Sequence, residues 1–198
     1  MTMNCPTNDQ QQRPHRDYYT ALYQAALTIS SSLELHQVLQ SIVKSTTEAM
    51  QVKACGLRLL DPVSGQLRLS AVYGLSSNYL AKGSVTIEQS LIDSEALNGN
   101  CVSIADVRTD PRFQYQDAAK DEGLVSVLCV PLEVHGNAIG VMRVYTNQPT
   151  EFSDEDVKFL SILASLAALS LENARLYESV RSSYEGIMAA FWGASTQL

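Results

Sequence analysis

The sequence predicts an α+β domain in which helices bracket a sheet of short strands and cover one of its faces. Three observations favour this class. Two amphipathic helical stretches come first, apolar strands separated by tight turns occupy the middle, and a long apolar helix follows. The 198 residues are 45% hydrophobic, so the chain can bury the core of one domain.

The main helices are identified by their spacing and by a start signal. Apolar residues recur at helical spacing from Asp17 onward, and a second stripe begins at Leu35. The long helix is expected to begin at Ser153, whose hydroxyl can cap the first turn. Asp156 stands where the acid of a capping box belongs, which strengthens the prediction.

The strands are separated by residues that favour turns. The segment ACGLRLLDPVSGQLRLSAVYG predicts two strands around the turn DPVSG, and CVSIADV predicts another. Asp110 and Pro111 have the residue types of a helix start, so a short helix is expected to open there and to end at Gly123. The apolar run SVLCVPLEVHGNAIGVMRVY, residues 126–145, predicts a hairpin.

Three segments are expected along the chain. Residues 1–16 are rich in Gln, Asn and Pro and predict a disordered tail, residues 17–180 form the domain, and residues 181–198 form an amphipathic extension. If the extension is helical, its apolar stripe either packs back on the domain or serves as an interaction face. That stripe consists of Tyr184, Ile187, Met188, Phe191 and Trp192.

Composition argues against several functions. The net charge is −7, and an acidic surface repels a phosphate backbone, so direct nucleic-acid binding is not expected. The first residues lack the apolar core of a secretory signal, and no apolar stretch reaches the roughly 20 residues that span a bilayer. We therefore expect a cytoplasmic protein without membrane insertion. The four cysteines lack zinc-ligand spacing and are expected to be free thiols.

Three stretches together resemble the GAF domain family: SIADVRTDPRF, the hairpin run, and FSDEDVKFLSILASLAALSLENARLYESV. The resemblance extends over about residues 20 to 180. It implies an antiparallel sheet with helices from both chain ends on one face and a small-molecule pocket over the other. It also implies a sensor, because GAF domains usually bind ligands, chromophores or gases and pass the state to an output domain through their terminal helices.

The special chemistry of several GAF subgroups is not supported by these residues. No cysteine precedes a histidine, as in the bilin-binding members, and no histidine is placed as a haem ligand. The cyclic-nucleotide pattern is matched only in part, because Asn147 is followed by Gln148 rather than by lysine. The stretch SLIDSEAL lacks the cysteine of free methionine-sulfoxide reductases. We therefore expect no enzyme activity, and the sequence identifies no cofactor.

The hairpin contains a cysteine, a histidine and an arginine. If Gly136 and Asn137 form its two-residue turn, Cys129 falls on the face that packs against the helices. We therefore expect Cys129 to be an unreactive core residue and His135 to be an exposed turn residue. A shift of one residue in the register would reverse the faces. The pairing assigns Val127, Cys129, Met142 and Val144 to the helix side, and Ser126, Leu128, Val130 and Arg143 to the pocket side.

An arginine inside an apolar strand needs an anionic partner. Arg58 and Arg143 lie on strands that the resemblance places side by side, so both are candidates for a cationic pocket floor that holds a small anion. The alternative is a structural ion pair with Glu133, Asp106 or another carboxylate. The candidate ligand-binding residues are Arg143, Arg58, Ser126 as a hydroxyl partner, and Asp106 and Arg108 in a loop that the resemblance places at the pocket.

The sequence therefore predicts a non-enzymatic sensor or regulatory protein that binds a small ligand and signals through its terminal helices to a partner. The alternatives are an accessory subunit of a larger assembly with a vestigial pocket, and a cysteine-based redox protein. We also expect a homodimer through both terminal helices, although the chain's own first helix could occupy the same seam instead. The predicted seam consists of Leu160, Leu163, Ala167, Ser170, Ala174 and Tyr177.

Overall fold

The computed structural model describes residues 17–31 and 34–193, so the predicted disordered tail at 1–16 lies outside the described residues. Within the described residues there are six helices and five strands. In chain order they are α1 (Tyr18–Ser31), α2 (Leu35–Met50), β1 (Ala54–Leu60), β2 (Leu67–Tyr73), α3 (Ser77–Leu80), α4 (Leu91–Leu97), β3 (Val102–Ile104), α5 (Gln116–Glu122), β4 (Val127–Val134), β5 (Asn137–Tyr145) and α6 (Asp154–Gly193).

The strands form one antiparallel sheet in the order β2-β1-β5-β4-β3. The strands β1 and β5, which come first and last in the sequence, pair at the centre, as the resemblance implied. The predicted α+β class and antiparallel sheet are therefore confirmed.

Helices cover both faces of this sheet. On one side, here called the helix face, α1, α2 and α6 pack over a core that includes Leu57, Met142 and Leu163. On the other side, here called the pocket face, α3, α4 and α5 pack over a second core that includes Ile92 and Val141. Helices from both chain ends thus lie on one face, as expected.

The start of α6 has the predicted capping box. The backbone N–H of Asp156 donates to the Ser153 hydroxyl at 3.2 Å, and the N–H of Ser153 donates to the Asp156 carboxylate at 2.8 Å. The same carboxylate accepts a hydrogen bond from the Tyr18 hydroxyl, and the Tyr18 ring stacks on Phe159 at 4.0 Å. The cap therefore also joins α6 to α1.

The prediction that a helix begins at Asp110 and Pro111 is wrong. The Asp110 carboxylate accepts bonds from the backbone N–H and the guanidinium of Arg112, and these local bonds close a turn. Such side-chain bonds compete with helical hydrogen bonding, and α5 begins only at Gln116. The predicted end is confirmed, because Gly123 caps α5 in the left-handed conformation.

The turn of the β4–β5 hairpin lies one residue earlier than predicted. Its central residues are His135 and Gly136, with φ angles of 50° and 77°. Two positive φ angles are what a type I′ hairpin turn requires. His135 is an exposed turn residue, as expected. A register irregularity lies at Leu132/Glu133, just before the turn, and Cys129 therefore lies opposite Arg143.

The irregularity at Leu132/Glu133 reverses the predicted faces of β4 but not those of β5. The earlier turn alone shifts the pairing by two residues, which would have kept the predicted faces. Arg143 does face the pocket side, and Met142 and Val144 do face the helices. Cys129 lies on the pocket face, against the prediction. The complete correction moves Val127 and Cys129 to the pocket face and Leu128 and Val130 to the helix face.

The helix α6 continues beyond the expected domain end and through Gly186. From residue 181 to Met188 the side chains of the extension are exposed and do not pack back on the domain. The structure does not describe the side chains of Phe191 and Trp192, the last two residues of the predicted stripe. By length and composition alone, the part of α6 from Asp154 to Met188 could cross a membrane, whereas the sequence pattern predicted no stretch long and apolar enough to do so. The core helix of a soluble domain passes the same test, and this helix is buried in part.

Candidate functional site

The candidate site is a group of charged and aromatic side chains between the pocket face of the sheet and α3–α5. Arg143 reaches it from β5, where its neighbours across the sheet are Gly56 and Cys129. Arg58 reaches it from β1, two residues beyond Gly56, so strand alternation directs both guanidinium groups to the same face. Lys82 follows α3 and brings a third cation to this layer.

Arg143 is bound to a buried carboxylate from α4. Its Nε donates to the Oδ1 of Asp93 at 2.7 Å, and its Nη2 forms an ion pair with the Oδ2. The same guanidinium donates to the Ser90 hydroxyl at 3.0 Å and to the Tyr145 hydroxyl at 3.4 Å. From the sequence, the partner of Arg143 could have been either a ligand or a carboxylate of the chain. In the structure the partner is the carboxylate of Asp93.

Arg143 is held in its charged form although its side chain is buried. Burial disfavours the charge, but the neighbouring Asp93 carboxylate keeps the pKa of Arg143 above its ordinary value. The guanidinium also lies 5.8 Å from the centre of the Phe113 ring, within the range of a cation–π contact. Arg143 is therefore a fixed positive group with its donors largely occupied.

Arg58 has no comparable partner. Its Nη1 donates to the carbonyl of Leu67 at 3.2 Å, and no carboxylate among the described residues forms an ion pair with it. Burial lowers the pKa of its guanidinium, and the charge of Arg143 acts in the same direction. Arg58 also lines a cavity of about 400 Å³ together with Gly83 and Ser84, a volume suited to a small ligand.

Lys82 is also a cation without a carboxylate at ion-pair distance in the described part of the chain. Its Nζ donates to the Tyr79 carbonyl at 3.2 Å and lies 3.6 Å above the ring of the same residue. Burial, together with the charges of Arg58 and Arg143, lowers the pKa of Lys82 to about 7. The side chain lines a second, open cavity of about 1070 Å³.

Tyr79 adds an unpaired polar atom to the same layer. The side chain is 2% exposed, and its hydroxyl has no hydrogen-bond partner within the described residues. Burial raises the pKa of Tyr79, so the phenol keeps its proton and can donate it in a hydrogen bond. Its ring lies edge-on to Tyr145, 6.5 Å between centres.

The charges of this layer do not balance. Arg58, Lys82 and Arg143 supply three cationic groups, and among the described residues Asp93 is the one carboxylate at ion-pair distance from any of them. The nearby Glu122 accepts hydrogen bonds from Ser76 and pairs with Lys53, and its charge acts on Lys82 only from beyond ion-pair distance. Since an unbalanced buried charge is costly, this layer is suited to accept a negative charge.

The other predicted site residues lie at the β3–β4 end and have internal partners. The Ser126 hydroxyl donates to the Ala105 carbonyl at 2.7 Å and accepts from the Thr150 N–H at 2.9 Å. Asp106 and Arg108 bind each other, and this contact lowers the pKa of Asp106 to about 2. The structure thus brings Arg58 and Arg143 together but does not join these three residues to them.

Cys129 is a buried core residue, as expected, although it lies on the other face. Its thiol is 3.7 Å from the Asp93 carboxylate, and burial raises the pKa of the thiol, so it stays protonated. Cys55 is buried too, whereas Cys101 is exposed. In the described residues, no group of three His, Cys, Asp or Glu side chains could hold a metal ion.

Sequence reasoning missed Asp93, Tyr79 and Lys82. A usable signal existed for Asp93, because it shares one side of a short helix with Ala96, three residues later. A carboxylate on the apolar side of a helix requires a cation from elsewhere in the fold. Tyr79 and Lys82 stand in a segment without clear periodicity, and no sequence signal marks them.

A sequence profile of the GAF domain matches residues 34–171. Among characterised proteins, the chain is 27% identical over 164 residues to the nitrogen fixation protein VnfA of Azotobacter vinelandii. It is 24% identical over 165 residues to a Nif-specific regulatory protein of Azospirillum brasilense. The matches cover 79% and 80% of this chain but 31% and 26% of those proteins, so the chain spans less than a third of their length.

A solved structure has the same fold. The GAF domain of a phosphoenolpyruvate-protein phosphotransferase from Coxiella burnetii superposes with a TM-score of 0.74. The match covers 82% of this chain and 97% of that one, at 23% identity. At this identity the likeness concerns the fold alone.

Proposed function

The chain belongs to the GAF domain family, and on that premise we propose that it is a non-enzymatic regulatory domain that senses a small anion on the pocket face of its sheet. GAF domains are regulatory and sensory, although some form part of enzymes, and one matched relative is named as a regulatory protein. The anionic ligand, the lack of catalysis, the cytoplasmic location and an output partner are parts of this proposal.

The observation that carries the proposal is the surplus of desolvated positive charge beside a cavity. Arg58 lines the cavity, and within the described residues its hydrogen bond goes to a backbone carbonyl, so its planar fork can bind a carboxylate or another oxyanion. Arg143 keeps its bond to Asp93 and contributes to the positive potential rather than to direct binding. Lys82, which lines the second cavity, supplies another cation without a carboxylate at ion-pair distance in the described part of the chain.

The sheet offers a short route from this site to the terminal helices. Arg143 points to the pocket face, while its neighbours Met142 and Val144 pack in the helix-face core with α2 and α6. A ligand that shifts β5 or β1 would therefore change the packing of α2 and α6 on the sheet, and α1 packs on both of these helices. This arrangement supports output through the terminal helices α1 and α6. Apolar residues such as Tyr19 and Tyr23 on α1 are exposed.

The proposal is tested by thermal shift with formate, acetate, nitrate, phosphate and small dicarboxylates. An anion present at 100 times its dissociation constant stabilises the folded state by about 2.7 kcal/mol. We expect at least one such anion to raise the melting temperature, Arg58→Gln to abolish the rise, and the control Arg108→Gln to keep it. If no anion acts, or if Arg58→Gln responds as the wild type does, the proposal is wrong.

The second candidate function is an accessory subunit with a vestigial pocket. It is favoured by the exposed part of α6, which offers a docking surface outside the domain. Native mass spectrometry of protein purified from its natural host separates the two functions. A bound small mass supports the sensor, whereas a stable heteromer without one supports the subunit.

A further inference from the structure

The amine of Lys82 lies between aromatic rings rather than beside a carboxylate. Its Nζ is 3.6 Å from the centre of the Tyr79 ring and 5.6 Å from the centre of the Tyr115 ring. The side chain is half-buried, and among the described residues no carboxylate lies at ion-pair distance from it. The rings offer a cation–π contact, but they do not supply the counter-charge that a desolvated ammonium needs.

The charged groups around this amine favour its neutral form. Arg58 on β1 and Arg143 on β5 both act against a positive charge on Lys82, whereas Glu122 on α5 favours that charge from a longer distance. Burial acts in the same direction as the two arginines. A lysine amine that has lost its proton is a nucleophile, and desolvation beside other cations is a known way to activate one.

The amine is also open to a small molecule. Lys82 lines the open cavity of about 1070 Å³, whose wall includes the exposed carboxylates of Asp117 and Asp121. Neither carboxylate forms an ion pair with Lys82. The Tyr115 hydroxyl donates to the Ser84 carbonyl at 2.6 Å, so the loop that carries the amine is tied to the start of α5.

The surrounding charges determine which covalent product fits. A ketone or an aldehyde would turn the amine into an iminium cation, which Arg58 and Arg143 disfavour as they disfavour the ammonium. Carbon dioxide instead turns the amine into a carbamate, which is an anion. The layer holds three cationic groups and one paired carboxylate, Asp93, so it stabilises the anionic product and not the cationic one.

The Tyr79 hydroxyl supplies a donor for such a product. It is buried without a hydrogen-bond partner among the described residues. Because Nζ lies above this ring, a carboxyl group attached to Nζ lies beside the same ring, and the hydroxyl at the ring edge can donate to it. The carbamate nitrogen keeps one N–H, which can maintain the bond from Lys82 to the Tyr79 carbonyl.

We propose that Lys82 is a carbon dioxide site, where the neutral amine forms a carbamate inside the positively charged layer. The nitrogen lone pair forms a C–N bond to the carbon of carbon dioxide, and one C=O π pair moves to oxygen as the negative charge. The proton lost from nitrogen passes to water. The inference rests on the surplus positive charge that the proposed function also uses, with the anion formed in place.

The first test is ¹³C NMR of the full chain equilibrated with ¹³C-labelled carbon dioxide at about pH 7.5, where an exposed lysine of pKa about 10.4 is almost wholly protonated. Wild type is expected to show a carbamate resonance that is absent from Lys82→Met and Lys82→Arg. Lys120→Met is the matched control, since Lys120 is an exposed lysine on α5, and it should keep the resonance. A resonance from the terminal amine would persist in all four proteins.

The second test locates the adduct. Triethyloxonium ions alkylate a carbamate, and peptide mass mapping is then expected to find the ester at Lys82 and not at the exposed Lys120 or Lys158. Tyr79→Phe keeps the ring and should lower the equilibrium constant on the order of tenfold, as loss of a hydrogen bond to a charged group does. Thermal melts should show that each variant is folded.

The absence of an adduct at Lys82, or equal labelling of the exposed lysines, overturns the proposal. At constant carbon dioxide pressure the resonance should disappear on acidification, because the ammonium has no lone pair for the attack, and a resonance that grows on acidification contradicts the mechanism. An unchanged equilibrium constant in Tyr79→Phe contradicts the hydrogen bond.

This inference and the proposed function fail separately. A carbamate in a protein whose melting temperature no added anion raises supports the carbon dioxide site and contradicts the free-anion sensor. An anion response that Arg58→Gln abolishes, in a protein that forms no carbamate, supports the sensor and overturns the carbon dioxide site.

Discussion

The Asp93–Arg143 pair joins a helix to the central strand inside the pocket-face core. Arg143 is 5% exposed and Asp93 is fully buried, so neither charge has solvent as an alternative partner. The Asp93 carboxylate accepts from the guanidinium and lies beside the Cys129 thiol. Removal of either charge leaves the other buried and unpaired.

Asp93→Ala is therefore expected to destabilise the domain by about 3–5 kcal/mol, the typical cost of breaking a buried ion pair from one side. The double variant Asp93→Leu/Arg143→Met should lose much less, because no charge remains unpaired. Denaturant unfolding of the single and double variants measures both. Equal losses in the two would show that the pair matters by its shape rather than by its charge.

Lys82 makes anion binding depend on pH. With a pKa of about 7, the free protein carries this charge below neutral pH and loses it above. A bound anion favours the charged form, so above pH 7 binding must take up a proton. The affinity is then expected to fall with rising pH, by at most about tenfold per pH unit.

This dependence is measured by titrating the anion found by thermal shift at about pH 6 and about pH 9, on either side of that pKa. Lys82→Met should bind more weakly at the lower pH and should lose the dependence. A wild-type affinity that rises with pH would contradict the assignment.

Cys129 is expected to be chemically inert in the folded protein. Its thiol is buried, and burial raises its pKa, so little reactive thiolate forms. Native protein should be labelled at the exposed Cys101 and not at Cys129, as read by peptide mass mapping. Cys129→Ala should cost about 1 kcal/mol in unfolding free energy. Rapid labelling of Cys129 would instead support the redox alternative.

At the scale of elements, two glycines show how differently the sheet and α6 constrain the chain. A Cβ at Gly140 on β5 would lie 2.2 Å from the carbonyl oxygen of Arg58, so the central β1–β5 pairing requires glycine there. A Cβ at Gly186 in α6 would meet nothing within 4 Å. Only the first glycine is thus required by close packing.

Gly140→Ala is expected to lower the melting temperature strongly or to prevent folding, because β1 and β5 must separate. Gly186→Ala is expected to stabilise α6 by about 0.5–1 kcal/mol, since glycine inside a helix is unfavourable relative to alanine. Circular dichroism melts of the two variants provide the comparison. Tolerance of Gly140→Ala would contradict the described pairing of β1 with β5.

The hairpin shows how far pattern alone predicts an element. The alternation in β5 placed Arg143 on the pocket face correctly, and the two strands were recognised from their apolar runs. The faces of β4 came out reversed because an irregularity at Leu132/Glu133 shifts the register by one residue, whereas the earlier turn at His135 and Gly136 shifts the pairing by two and alone keeps the faces. A non-glycine residue with positive φ is uncommon, so the pattern favoured the later turn.

At the scale of the whole molecule, the sheet separates a charged layer on one face from an apolar core on the other. The pocket face carries the uncompensated cations, and the helix face carries the apolar core shared with α1, α2 and α6. The helix α6 contacts this sheet on one side, and its side chains from Arg175 to Met188 are exposed.

The sequence by itself determined the features that depend on near neighbours: the α+β class, the order of the main helices and strands, the Ser153–Asp156 cap, and the motifs that resemble the GAF family. It also made Arg58 and Arg143 candidates for the same pocket, on strands that the resemblance places side by side. Apart from that placement, each of these signals lies within a few residues or follows from strand alternation.

The tertiary structure alone decided the partner of Arg143, the location of the surplus charge and the buried side of α6. Asp93 is 50 residues from Arg143, and nothing local selects it over other carboxylates. Leu160, Leu163 and Ala167 of the predicted dimer seam are buried, because the chain's own helices and sheet cover that side of α6. Ion pairing and burial depend on which distant segments meet, and a short-range pattern carries no information about that.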